Sequence, residues 1–132
     1  MSASPSPRGK NIRTAIAGEF FVAGELSKRG WIATLTAKNT PDCDILAARP
    51  TGDTHARIDV KTRSGRYQYA WRPGKVRMSG ERDFVVFVDL GNEDESPLYR
   101  IVAARTAQGL FVGEQIRRKD IDEFQDAWEL LD

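Results

Sequence analysis

The sequence predicts a mixed α/β fold, a β-sheet with helices packed on its faces. Three observations carry that expectation. Residues 11–29, "NIRTAIAGEFFVAGELSKR", place apolar residues at helical spacing. Three short strand-like runs follow, separated by turn residues. Further on, "DFVVFVDL" is an almost continuous apolar run between turn signals, the pattern of a strand buried on both faces. The expected order is helix, three strands, an irregular hairpin segment, two strands and a C-terminal helix.

Each element has its own signals. In the first helix Asn11 is placed as N-cap, Lys28 and Arg29 suit the negative end, and Gly30 is placed to stop it. Ile12, Ala15, Ile16, Ala23 and Leu26 form the predicted inner stripe. "WIATLT" reads as the first strand. "CDILAAR" and "THARIDVKTR", joined by the turn "PTGD", read as an antiparallel hairpin. "SGRYQYAWRPGKVRMSGER" reads as irregular structure over the sheet. "LYRIVAA" is a further strand, and "RTAQGLF" a short helical turn. Ile121, Phe124, Trp128 and Leu131 recur at helical spacing near the end, with Asp120 as a cap.

At 132 residues the chain fits one domain, here 11–132. The opening "MSASPSPRGK", residues 1–10, reads as a disordered tail without the apolar stretch of a secretory signal. No apolar run approaches the roughly 18 residues that span a bilayer, which argues against a membrane partner. The single cysteine, Cys43, excludes an internal disulfide framework and fits a reducing cytoplasm. Without a second cysteine or a nearby histidine it reads as a small buried hydrophobe. His55 reads as a surface residue near the hairpin turn.

The net charge of +1 conceals an uneven distribution. Lys61, Arg63, Arg66, Arg72, Lys75 and Arg77 occur with no acid among them, whereas Asp120 to Asp132 is acidic. Arginine and lysine neutralise phosphates, and Tyr67, Tyr69 and Trp71 interleaved with them either stack on unpaired bases or pack into the core. Arg63, Arg66, Arg72, Lys75 and Arg77 are therefore the candidate nucleic-acid contacts, with Gln68 as a further polar candidate.

The carboxylates are the stronger signal. Glu19 falls inside the apolar stripe of the first helix, where an unpaired buried carboxylate costs several kcal/mol, whereas Glu25 faces away. It either lies at the edge of the core or has a partner inside. Asp44 opens the second strand, and as a strand-end residue it also suits a turn cap. In "RIDVKTR", Ile58 and Val60 share one face while Asp59 and Lys61 share the other. That pair is either a solvated ion pair, worth ~0–1 kcal/mol, or a metal ligand beside a reactive lysine. Hairpin pairing brings Asp44 level with Asp59 and Lys61. Hard oxygen ligands suit Mg²⁺ or Mn²⁺ together with a phosphate substrate, so the group points to metal-assisted hydrolysis of a phosphodiester.

Glu19 followed by "PDCDIL" and "IDVK" resembles the PD-(D/E)xK nuclease superfamily, which includes type II restriction enzymes and Holliday junction resolvases. The likeness is to its small resolvase-like and uncharacterised stand-alone members, and it covers residues 11 to 63. The resemblance implies a restriction-endonuclease-like mixed sheet and a Mg²⁺-dependent (or Mn²⁺-dependent) endonuclease acting on DNA. It implies Asp44, Asp59, the carbonyl of Val60 and Glu19 as metal ligands, with Lys61 as the catalytic lysine. Either Asp42 or Asp44 can supply the first acid; Asp44 is preferred because an apolar strand follows it directly. Asp59 stands where glutamate is commoner. The alternative is a resolvase-like enzyme for branched DNA, or a catalytically weak module that binds DNA or assembles. A chain this small cuts two strands most readily as a homodimer, and Phe21, on the polar side of the first helix, is available for such a contact.

Overall fold

The computed structural model describes residues 7–37, 43–65, 70–71 and 75–132, with side chains from residue 12 onward. Asp42, Arg66, Tyr67, Gln68, Tyr69 and Arg72 lie outside these residues. Helix α1 runs Pro7–Lys28. It is followed by strands β1 (Ile32–Leu35), β2 (Ile45–Ala48), β3 (His55–Arg63), β4 (Ala70–Trp71), β5 (Asp83–Asp89) and β6 (Leu98–Ala103). Helix α2 (Ala104–Leu110), strand β7 (Ile116–Arg117), helix α3 (Arg118–Ile121) and two 3₁₀ turns, Asp122–Phe124 and Trp128–Leu131, complete the chain.

Five strands form the main sheet in the order β1-β2-β3-β5-β6. The first three pair antiparallel in sequence, β3 and β5 pair parallel, and β6 returns antiparallel to β5. The predicted β2–β3 hairpin is present; Arg49 N–H donates to Thr54 O at 2.9 Å, and Gly52 takes the turn's left-handed φ of 78°. All seven residues of β5 are buried, as its apolar run requires. One face of the sheet packs Ile45, Ile58, Val86 and Ile101 against Val22 and Leu26 of α1 and against Trp128 and Leu131. The other packs Val85, Phe87 and Val102 against Ala104 and Ala107 of α2, together with Trp71, Ile116 and Ile121.

Helix α1 starts earlier than its sequence signals indicate. Pro7 holds its first position, where a fixed φ suits the helix and the absent N–H is no loss. Asn11 therefore lies within the helix rather than capping it, and residues 7–10 belong to α1 rather than to the tail. Gly30 stops the helix as expected, with φ 94°. The buried face also differs: it runs through Gly18, Val22 and Leu26. Ahead of Gly18 the helix runs past the end of β3, so Ile12 and Ile16 of the predicted stripe emerge at 48% and 36% exposure. Ala15 is exposed as well.

The C-terminal helix is a second correction. Its apolar residues do reach the core, with Ile121, Trp128 and Leu131 buried, but they do so from α3 and two separate 3₁₀ turns. Gln125 leaves the helix in an extended conformation and bridges Arg100 of β6, and Asp126 takes a left-handed φ of 55°. A helix cannot continue through either residue.

Candidate active site

The side chains of β3 alternate between the two faces of the sheet. Ile58, Val60 and Thr62 face α1. Arg57, Asp59, Lys61 and Arg63 all face the α2 side, so four charged residues share one face of an interior strand. Their register with β5 separates them into two kinds. Arg57 lies opposite Asp83 and Arg63 opposite Asp89, while Asp59 and Lys61 lie opposite Val85 and Phe87.

The outer two are structural ion pairs. Arg57 donates to both oxygens of Asp83 at 2.8 and 2.7 Å. Its guanidinium, with a backbone bond from Gly80 N–H, holds the Asp83 carboxyl below the usual carboxylate range against opposing desolvation. Arg63 donates to Asp89, and its guanidinium lies 3.6 Å from the centre of the Trp71 ring. Asp89 also accepts from Arg100 at 3.1 Å, and Arg100 donates to Asp122 at 2.8 Å. Arg63, Asp89 and Arg100 are all buried. Arg63 is therefore committed to an interior network and is not presented to a phosphate, contrary to the reading of its sequence position.

The inner two are different. Lys61 Nζ lies 3.2 Å from Asp59 Oδ2, and Lys61 is 7% exposed. No charged β5 residue faces them; the partner that approaches is Asp44. The ladder of β2 extends one residue past the strand, with Asp44 N–H donating to Ile58 O at 2.8 Å and Thr36 N–H donating to Asp44 O at 3.0 Å. This fixes Asp44 where the β2–β3 pairing ends. Its Oδ2 accepts the Val60 N–H at 2.7 Å. A residue's N–H and C=O lie along the same edge of an extended strand, so the Val60 carbonyl faces the Asp44 edge too.

Burial raises the Asp59 carboxyl from its ordinary value of 3.8 to about 6. The Lys61 ammonium opposes that rise, and the adjacent Asp44 carboxylate adds to it through its charge and a hydrogen bond. Two carboxylates held this close repel unless a proton or a cation lies between them. The donor set of Asp44, Asp59 and the Val60 carbonyl is all oxygen, the chemistry that suits Mg²⁺ or Mn²⁺.

Glu19 sits on α1, half-buried, one residue from the closest approach of that helix to β3, where Gly18 packs on Thr62. The structure does not gather it with Asp44 and Asp59: among the described residues no three His, Cys, Asp or Glu side chains form a group able to hold a metal ion. Lys75 and Arg77 are exposed. Trp71 is buried against Phe87, with ring centroids 5.4 Å apart. Cys43 is buried and His55 exposed, as expected.

The five-stranded mixed sheet with helices on its faces is the restriction-endonuclease-like fold. Among solved structures it is similar to the Holliday junction resolvase Hjc of the archaeal hyperthermophile Archaeoglobus fulgidus, with a TM-score of 0.53 over 83% of this chain and 88% of that one. The two are 18% identical, so the likeness is one of fold. Neither a family model nor a curated protein matches the chain. No helix among the described residues is long and apolar enough to cross a membrane.

Proposed function

We propose that this protein is a divalent-metal-dependent endonuclease of the PD-(D/E)xK superfamily that hydrolyses phosphodiester bonds of DNA. One observation carries the reading. Within a charged stripe whose outer members are locked to acids of β5, Asp59 and Lys61 face apolar β5 residues and meet Asp44 where the β2–β3 pairing ends. A structural role accounts for Arg57 and Arg63; it leaves the half-buried and mutually repelling Asp44 and Asp59 unexplained.

In this reading Asp44, Asp59 and the Val60 carbonyl would hold Mg²⁺ or Mn²⁺, and Glu19 would contribute as an outer ligand. The cation, when bound, polarises a phosphoryl oxygen and makes water more acidic. Lys61 has three donors. With one directed at Asp59, it offers the others to the attacking water or to the phosphoryl oxygen on which charge develops. Water adds to phosphorus, the phosphorus–oxygen ester bond breaks, and the departing oxygen takes up a proton.

A homodimer would place two such sites on one DNA molecule. Ile12, Ile16, Phe20 and Phe21, the exposed apolar residues of α1, are its proposed contact.

The test is incubation with labelled duplex, single-stranded and four-way-junction DNA in Mg²⁺, in Mn²⁺ and in excess EDTA. Metal-dependent cleavage is expected, and preference for the junction would select the resolvase-like alternative. Binding without cleavage of any of the three substrates would overturn the enzyme reading in favour of a DNA-binding module.

A further inference from the structure

The segment 75–79 crosses the α2 side of the sheet with strict alternation of burial. Val76 and Met78 are buried, while Lys75, Arg77 and Ser79 are exposed. Among the described residues no sheet partner fixes this segment; α2 does. Gln108 Nε2 donates to Val76 O at 3.1 Å and to Met78 O at 2.7 Å. One turn earlier on α2, Arg105 Nε donates to Ser79 O. Val76 and Met78 insert into the same apolar layer as Val85 and Phe87, the β5 neighbours of Asp59 and Lys61. Trp71, in the same layer, packs on Phe87, the β5 neighbour of Lys61, so the segment lies on the face that Asp59 and Lys61 share.

We infer that residues 75–79 and α2 form a preformed ridge that tracks the sugar-phosphate backbone of the nucleic acid, with Lys75, Arg77 and Arg105 as phosphate contacts and Gln108 as the residue that positions them. The inference rests on the proposed DNA substrate and adds to it the surface that the duplex follows away from the site. Alternate residues of a strand-like segment stand up to about 6.8 Å apart, on the scale of successive phosphates along one strand. Exposed cations on a flexible loop lose that spacing. Here two side-chain amide bonds and an arginine bond hold it before any ligand arrives, which lowers the ordering cost of binding. Contacts of this kind carry no base information, so the ridge binds without sequence preference.

The experiment is fluorescence anisotropy of a labelled duplex with the full-length protein in EDTA, where cleavage does not intervene, over a series of salt concentrations. Each phosphate contact contributes about −0.9 to the slope of log affinity against log salt. Lys75→Ala with Arg77→Ala is expected to make the slope shallower by about 2, and to weaken binding by up to roughly 60-fold at 0.1 M salt. Arg105→Ala is expected to remove about 1. Gln108→Ala is expected to reduce the slope as well, although it removes no charge. A merely structural glutamine would lower the melting temperature and leave the slope unchanged. If wild type binds and the Lys75/Arg77 double variant keeps its full slope, the ridge is refuted while the nuclease reading stands. If wild type binds no duplex at any salt concentration, the ridge is refuted, and the nuclease reading falls with it only if single-stranded and four-way-junction DNA are not bound either.

Discussion

Asp59→Asn is expected to stabilise the metal-free protein. The carboxyl is lifted from 3.8 to about 6, first by burial and then by the neighbouring Asp44 carboxylate. A carboxyl with a native pKa above its unfolded value binds its proton more tightly in the folded state. Its contribution to stability is therefore fully present below about pH 4 and lost as pH rises through about 6. At ~1.4 kcal/mol per pH unit, holding Asp59 ionised at pH 7.5 costs the fold about 3 kcal/mol. Asparagine resembles the protonated acid in shape and charge, so it removes up to that amount. Urea denaturation of wild type and Asp59→Asn at pH 7.5 and pH 4 measures the difference directly. A clear gain is expected for the variant at pH 7.5, shrinking towards zero at pH 4. A variant less stable than wild type at pH 7.5 would show instead that Asp59 is a net stabilising partner of Lys61.

Three further outcomes are expected. Gly18→Ala should destabilise by about 2 kcal/mol or more, since its Cβ would lie 1.8 Å from Thr62 Oγ1 and overpacking outweighs the gain in helix propensity. Adding Thr62→Ala should recover only part of the loss by thermal melting, because Thr62 Cβ remains at 2.8 Å. Asp89→Asn should cost about 3–5 kcal/mol in urea denaturation, because it strips the shared carboxylate from buried Arg63 and Arg100; a loss under 1 kcal/mol would contradict the buried network. Ile16→Glu with Phe20→Glu should convert a dimer to monomer in sedimentation velocity with little change in melting temperature. An unchanged sedimentation coefficient would remove the α1 contact.

How far the sequence foretold this molecule differs from strand to strand. The apolar run of β5 and the hairpin turn at Gly52 were legible because both signals are local. Three features of the site group were legible too: Asp44 ahead of an apolar strand, Asp59 and Lys61 on one face, and their hairpin proximity. The meaning of "RIDVKTR" was not, because β3 alone does not show what lies across from it. The sorting of its four charges comes from a parallel register with β5, and the acids that end that strand, Asp83 and Asp89, are the residues that decide it. The apolar interior of "DFVVFVDL" does not reveal their role, nor the burial of Arg63 that follows from it. The stripe of α1 was misplaced for a similar reason: periodicity orients a helix, but where the sheet ends decides which turns of it are covered. The broken C-terminal helix turns on a left-handed aspartate that spacing alone does not reveal.

Single-turnover cleavage of labelled DNA in Mg²⁺ by wild type, Lys61→Ala and Asp59→Ala, with DNA binding measured alongside, tests whether this site carries the chemistry. Wild type is expected to cut, and both variants to bind DNA with near-normal affinity while cleavage falls by at least about a hundredfold, the scale set by losing one charge-stabilising or proton-transferring group. Cleavage that survives in both variants would place the chemistry elsewhere and contradict the assignment of Asp44, Asp59 and Lys61.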